Sequence, residues 1–132
     1  MDKADSHTHT HTHTYSLDIP IFAKTYEFYK VLTNQVISFP KTKRYTLGQR
    51  LDDIALDIFE LLSSIPTTND KVSTLNQISI KLDLLKILVR LAKDSLALND
   101  KVYLELQEIL QEIGRMLGGW IKASKQNTTG PL

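Results

Sequence analysis

Apolar residues recur at spacings of three and four along most of this 132-residue chain, the period of an amphipathic α-helix. Four such patterns follow one another, and nothing reads as a strand. The first predicts a helix from about Ile19 to Ser38, with Pro20 suited to the first helical position. Its predicted apolar positions include Ile21, Phe22, Tyr26, Tyr29, Leu32, Val36 and Phe39. The pair Phe39-Pro40 ends it, because a residue before proline is restricted to extended conformations.

The second and fourth patterns also predict helices. The second is predicted to start near Thr46, where Thr46 and Gln49 have the spacing of a capping box, and to end at Pro66. The fourth is predicted to be capped near Asn99, and its apolar face consists of Val102, Leu106, Ile109, Ile113, Leu117 and Trp120. Short connections favour antiparallel neighbours, so the predicted fold is all-α, an antiparallel up-down-up-down four-helix bundle.

The third helix is predicted to open around Asn69-Asp70 and to continue to about Leu98. It has two apolar rows. One row is Leu75, Ile78, Leu82, Leu85, Val89, Ala92 and Leu96, and the second is Ile80, Leu84, Ile87 and Leu91. A helix with one apolar face needs one partner layer, so the second row indicates either a subunit interface or the most central helix of the bundle.

Three glycines lie within six residues of the fourth helix, at Gly114, Gly118 and Gly119, beside Trp120, the only tryptophan. Each costs roughly 1 kcal/mol relative to Ala inside a helix. We interpret them as marking the close approach of another backbone or helix, although Gly118 and Gly119 could also end the helix as caps. The predicted oligomer interface is Ile80, Leu84, Ile87, Leu91, Gly118, Gly119 and Trp120.

The charge of the chain is nearly balanced, with 16 Lys+Arg against 15 Asp+Glu and a net charge of +1. Residues 1–18 are predicted to be a disordered tail or a tag, because four histidines there alternate with threonines; a physiological metal site is the minor alternative. Residues 19–126 are predicted to form the bundle, and 127–132 a disordered tail. With no apolar run near ~20 residues and no signal-peptide pattern, we expect a cytoplasmic protein without a membrane partner.

Residues for catalysis are missing from the predicted bundle. The chain has no cysteine, and its four histidines all precede residue 14, which excludes His-based acid–base chemistry and thiolate metal sites there. Asp52, Asp53, Asp57 and Glu60 are better explained as a solvated helix face than as metal ligands. We therefore expect no enzyme activity, no catalytic residue, no metal, no cofactor and no small-molecule substrate.

Basic residues are the remaining candidates for a binding site. No acid occurs from Ser38 through Arg50, a segment predicted to be a flexible cationic loop whose Tyr45 could stack on bases. The alternative for this loop is a surface that only makes the protein soluble. For the cations of the third helix, the alternative is that Asp83 and Asp94 neutralise part of their charge. The predicted nucleic-acid or partner-binding residues are Lys41, Lys43, Arg44, Arg50, Lys86, Arg90, Lys93, Arg115 and Lys122.

Three segments, supported by RLAKDSLAL at 90–98, resemble one known family. They are IPIFAKTYEFYKVL at 19–32, FPKTKRYTLGQRL at 39–51 and EIGRMLGGWIK at 112–122. Together they resemble the four-helix-bundle family of the accessory variability determinant (Avd) of diversity-generating retroelements, from about Ile19 to Lys125. The near-neutral charge departs from the family, whose members are typically strongly basic.

The resemblance implies a non-catalytic protein that assembles as a barrel-shaped homopentamer. Such proteins bind the reverse transcriptase and the template RNA, possibly DNA, and support mutagenic cDNA synthesis in a bacterial, archaeal or phage-encoded system. The basic positions that match the family motifs are Arg44, Arg50, Lys86, Arg90 and Arg115. The alternative is a similar four-helix protein of the ribosomal-RNA intervening-sequence type, with an oligomeric nucleic-acid-binding or purely structural role.

Overall fold

Four long helices account for most of the protein. The computed structural model describes residues 19–128, with side chains through residue 126, and within these residues every regular element is helical. The long helices are α1 (Pro20–Val36), α2 (Gln49–Ser64), α3 (Lys71–Asp94) and α4 (Asp100–Thr128). The predicted tail at 1–18 and the last residues of the tail at 127–132 lie outside the described residues.

The helices form the predicted four-helix bundle, in which each helix packs against two neighbours in the cyclic order α1, α2, α3, α4. Contacts between α1 and α2 show that neighbours are antiparallel. Phe22, near the start of α1, meets Phe59 near the end of α2, whereas Tyr29 further along α1 meets Asp52 nearer the start of α2. The short connections leave no room for a parallel arrangement.

The core consists of apolar side chains from all four helices and closely follows the predicted stripes. Three large side chains on α1 and α4 differ from the prediction. Phe28 and Leu110 are fully buried although neither was assigned to a predicted apolar face, whereas Tyr26, assigned to the face of the first helix, is 50% exposed. A helical period leaves several residues near the edge of each face, and the rotation of the helix in the bundle decides which of them are buried. Full burial of a side chain such as Phe28 stabilises the fold by roughly 1.5–3 kcal/mol.

Two predicted helix starts are confirmed by side-chain caps. The Asp70 carboxylate accepts a hydrogen bond of 3.0 Å from the Ser73 backbone N–H at the start of α3. The Asn99 side-chain oxygen accepts one of 2.8 Å from the Val102 N–H at the start of α4. Each cap satisfies an N–H group that has no partner inside its helix, which typically stabilises the helix by about 1 kcal/mol.

The connection between α1 and α2 is helical, so the prediction of a flexible loop is wrong. After Pro40 the chain forms one α-helical turn (Lys41–Lys43) and a π-helical segment (Arg44–Gly48) that runs directly into α2. The predicted capping box is also wrong, because the Thr46 hydroxyl lies inside the helix and donates to the Thr42 carbonyl at 3.0 Å. Pro40 begins this helix with a fixed φ, and no second N-cap is needed further along the chain.

α3 ends at Asp94, earlier than predicted, through a Schellman motif. The Leu96 N–H donates to the Lys93 carbonyl at 3.0 Å, and the Ala97 N–H donates to the Ala92 carbonyl at 2.8 Å. Leu96 has a φ of 66°, the left-handed conformation that glycine usually takes at this position. Its side chain is 87% exposed, so the last residue of the predicted core stripe lies outside the core.

Candidate functional site

Four predicted cationic residues lie together where α1 ends and α2 begins. We call Lys41, Lys43, Arg44 and Arg50 the α2-start cluster. The helical turn and the π-helical segment carry the first three of them, and Arg50 is the second residue of α2. None of the four forms an ion pair with a carboxylate among the described residues. Their positive charge is therefore available to an anionic partner.

Arg44 and Tyr45 stand out within the α2-start cluster. The Arg44 Nη2 donates a long hydrogen bond of 3.4 Å to the Phe39 carbonyl, and its guanidinium carbon lies 5.8 Å from the centre of the Tyr45 ring. The Arg44 Nε is buried and has no acceptor within the described residues. Tyr45 is 64% exposed, so much of an aromatic side chain is accessible to solvent beside the cations.

Two of the three cations in the predicted row on α3 lie beside a carboxylate. The Arg90 Nε donates to both carboxylate oxygens of Asp94 at 3.2 Å, and this hydrogen bond is the main reason that the pKa of Arg90 is raised. The Lys86 ammonium lies 4.0 Å from the Asp83 carboxylate. The Lys93 ammonium lies 4.9 Å from the centre of the Tyr103 ring. This row has much less uncompensated charge than the α2-start cluster.

The predicted cations of α4 lie apart from the α2-start cluster. Arg115 is ion-paired with Glu112, and Lys122 is exposed further along the helix. An acidic groove of about 420 Å³ between α1 and α4 was not predicted from the sequence. It is lined by Lys24, Glu27, Glu105, Glu108, Ile109, Gln111, Glu112 and Arg115. The signal for it was the spacing of three and four among the glutamates of α4. None of the four residues of the α2-start cluster lines this groove.

The second apolar row of α3 is exposed in the single chain. Ile80, Ile87 and Leu91 are 69%, 58% and 49% exposed, whereas Leu84 is half-buried against the core. The alternative that α3 is the most central helix does not account for this row, since α3 packs against two neighbours as the other helices do. The row remains the predicted subunit interface.

The predicted interface and the predicted cationic row of α3 occupy one surface. A groove of about 350 Å³ between α3 and α4 is lined by Lys86, Ile87, Arg90, Leu91, Tyr103 and Gln107. A subunit that covers Ile87 and Leu91 also covers the space beside Lys86 and Arg90. One surface cannot contact RNA and a neighbouring subunit at the same time.

The three glycines of α4 lie inside the helix, so the alternative that Gly118 and Gly119 end it as caps is wrong. A Cβ atom at Gly114 would lie 3.5 Å from Leu82 Cδ2 and from Lys86 Nζ on α3. A Cβ built at Gly118 or Gly119 would have no atom within 4 Å among the described residues, apart from its chain neighbours and the local backbone of α4. Within one chain, close approach of a neighbouring helix is therefore seen only at Gly114, while Trp120 packs half-buried against the core.

Comparison with known proteins identifies the family. A model of the bAvd-like family matches residues 21–124, a span that includes the bundle core and the α2-start cluster. The chain belongs to the bAvd-like family. This confirms the resemblance found in the sequence motifs and points to an accessory protein of a diversity-generating retroelement. Neither the curated proteins nor the solved structures include a match.

The described residues contain neither a metal-binding cluster nor a membrane-spanning helix. No group of three or more His, Cys, Asp or Glu side chains within residues 19–128 is arranged to hold a metal ion. None of the helices in this part of the chain is long and apolar enough to cross a membrane.

Proposed function

We propose that this protein is a non-catalytic, cytoplasmic accessory protein of a diversity-generating retroelement that binds the reverse transcriptase and the template RNA. In this role it supports mutagenic cDNA synthesis without a cofactor or small-molecule substrate of its own. Family membership supports the accessory role. The observation that carries the RNA-binding part is the α2-start cluster, in which four cations have no carboxylate partner among the described residues.

A homopentameric barrel is the second part of the proposal. Ile80 and Ile87 are large aliphatic residues that remain well over half exposed in the single chain, and burial against a neighbouring subunit would remove them from water. A ring repeats the α2-start cluster once per subunit. Several weak contacts to one RNA then act together, which compensates for the near-neutral charge of each chain.

In such an assembly, the α2-start cluster and the cationic row on α3 have different roles. If α3 contacts the neighbouring subunit, Lys86 and Arg90 lie at the edge of that contact and already have acidic neighbours in Asp83 and Asp94. The α2-start cluster does not line that groove, and we infer that it stays exposed in the assembly. We therefore assign template RNA to the α2-start cluster rather than to the α3 row.

The experiment compares two double variants that each remove two positive charges per chain. Lys41→Ala with Arg50→Ala should weaken RNA binding and reduce the dependence of the logarithm of affinity on the logarithm of salt concentration. Each lost phosphate contact removes on the order of one unit of that slope. Lys86→Ala with Arg90→Ala should have the smaller effect on RNA. Lys71→Ala, an exposed cation at the start of α3, is the control and should change little.

The results distinguish a wrong choice of RNA-binding surface from a wrong RNA-binding function. A larger loss of RNA affinity in the Lys86/Arg90 variant would show that the α3 row is the RNA surface. RNA binding that is absent from the wild-type protein even at low salt would refute the RNA-binding role. Reverse-transcriptase association is measured separately by co-purification. A chain that binds RNA but never the polymerase would support the ribosomal-RNA intervening-sequence alternative, in which no reverse-transcriptase gene or template/variable repeat pair lies nearby.

A further inference from the structure

The Arg44 side chain is held in a position that does not satisfy its hydrogen-bonding groups. Its Nε is buried without an acceptor, and its Nη2 has only a 3.4 Å bond to the Phe39 carbonyl. A guanidinium has five N–H donors, and a buried charged donor without a partner is unfavourable. An external anion within reach of Arg44 would therefore bind without competing against a strong internal partner.

The backbone that carries Arg44 and Tyr45 is also unusual. Both residues belong to the π-helical segment. Such segments are rare in proteins, and those that occur are often found at functional sites. Gly48 closes the segment against the end of α1, because a Cβ there would lie 2.9 Å from Val36 Cγ1. The close packing at Gly48 anchors the segment while the Tyr45 ring projects from it into solvent.

We propose that Arg44 and Tyr45 bind one unpaired nucleotide of single-stranded RNA. The base stacks on the exposed Tyr45 ring, and the Arg44 guanidinium turns from the Phe39 carbonyl to the phosphate. Lys41 and Lys43, one helical turn or less away, bind the adjoining phosphates. This inference rests on the proposed RNA-binding function and adds the class of RNA that the α2-start cluster takes.

An unpaired nucleotide fits the site better than a duplex or a protein. In a duplex the bases stack on each other, so the Tyr45 ring has no free base face to contact. A protein partner would need carboxylates for the four cations and an apolar surface for Tyr45, whereas a nucleotide supplies the phosphate and the stacking face together. Stacking on aromatic residues beside cations is the usual way in which proteins hold single strands.

The test compares binding of a short single-stranded RNA with binding of an RNA duplex of the same length. Tyr45→Ala should weaken single-strand binding about tenfold or more and leave duplex binding nearly unchanged. Tyr45→Phe should retain binding, since the ring does the stacking. Tyr26→Ala is the matched control, because Tyr26 is also half exposed and has the Lys30 ammonium 5.1 Å from its ring centre, but lies outside the π-helical segment.

Arg44→Met gives an independent readout, because it keeps an unbranched side chain and removes the buried N–H. The thermal midpoint should be unchanged or higher, while affinity for the single strand should fall about tenfold. The affinity of Arg44→Lys for the single strand should lie between those of the wild type and of Arg44→Met. A variant that melts well below the wild type and binds single strands normally would show that Arg44 is structural and would overturn its role here.

The remaining outcomes distinguish this site from the proposed function. If the wild-type protein binds single strands and Tyr45→Ala binds them equally well, the site is overturned and the RNA-binding function stands. If Tyr45→Ala weakens the binding of single strands and of duplexes equally, the site does not recognise an unpaired base, and the proposal is overturned. If it weakens only reverse-transcriptase association, the surface binds protein, which also overturns the site. A wild-type protein that binds neither RNA would overturn both proposals.

Discussion

The hydroxyl of Tyr29 on α1 donates a hydrogen bond of 2.7 Å to the carboxylate of Asp52 on α2. This bond raises the pKa of Tyr29 from 10.0 to about 12, with smaller contributions from burial and from the negative charge of Asp52. The tyrosine must stay protonated to donate. The bond therefore stabilises the folded protein fully below pH 10, and this contribution is lost as the pH rises from 10 through about 12.

Tyr29→Phe tests this relationship. At neutral pH the substitution should lower the free energy of unfolding by about 1 kcal/mol, because the hydrogen bond is lost and the group is only partly buried. The difference between the two proteins should shrink as the pH rises above 10. Denaturant unfolding at a series of pH values measures it, and a difference that stays constant up to pH 12 would contradict the assignment.

Gly48→Ala should destabilise the protein. The new Cβ would lie 2.9 Å from Val36 Cγ1 and 3.4 Å from Phe39 Cδ2, so the Val36 side chain or the backbone that carries it must shift. Overpacking of this kind costs about 1–3 kcal/mol, from which a helix-propensity gain of up to about 1 kcal/mol is subtracted. Gly119→Ala is the control, since open space surrounds it, and it should melt at the same temperature as the parent or higher. Equal melting of both variants would show that the segment is not tightly packed.

Gly118→Leu tests the predicted oligomer interface. The single chain has room for this side chain, so the fold of the subunit should tolerate it. A loss of assembled mass would therefore come from a clash with a neighbouring subunit. We expect light scattering to give about five times the 15.0 kDa of one chain for the wild type and a smaller mass for the variant. A variant that keeps its mass and melts like the parent would place Gly118 on free surface.

The exposed row of α3 gives a second test of the interface. Ile80→Ser with Ile87→Ser removes two exposed aliphatic side chains that contribute little to the core of the chain. We expect the mass from light scattering to fall while the helical content measured by circular dichroism stays the same. Leu56→Ser is a suitable control, because Leu56 is an exposed aliphatic on α2 away from this row. A wild-type protein that is already monomeric at micromolar concentration would refute the pentamer.

Leu96→Gly should stabilise the protein although it removes a large side chain. Leu96 has a φ of 66°, which costs a non-glycine residue roughly 1–2 kcal/mol, and its side chain is almost fully exposed. After the greater chain entropy of unfolded glycine is subtracted, a gain of about 0.5–1 kcal/mol is expected in denaturant unfolding. Leu104→Gly, at an exposed position inside α4, should lower the free energy of unfolding, because glycine is unfavourable inside a helix. Destabilisation by both variants would show that Leu96 makes a stabilising contact.

The sequence alone determined the features that depend on neighbouring residues along the chain. Pro20 at the first turn of α1, Asp70 and Asn99 as caps, and the four amphipathic patterns all act over a few residues. These interactions can be read from spacing because helical geometry sets which residues are neighbours. The family motifs at 19–32, 39–51 and 112–122 were equally visible, and the match to the family model confirms the family that they indicated.

The tertiary structure decided what depends on how the helices are rotated and spaced against one another. It buried Phe28 rather than Tyr26, joined Tyr29 to Asp52, and placed the predicted interface and the α3 cations around one groove. It also converted the predicted loop into the π-helical segment that carries Arg44, since Gly48 allows the end of α1 to pack closely there. Helical periodicity states which residues share a face, but only packing sets the neighbour that each face meets.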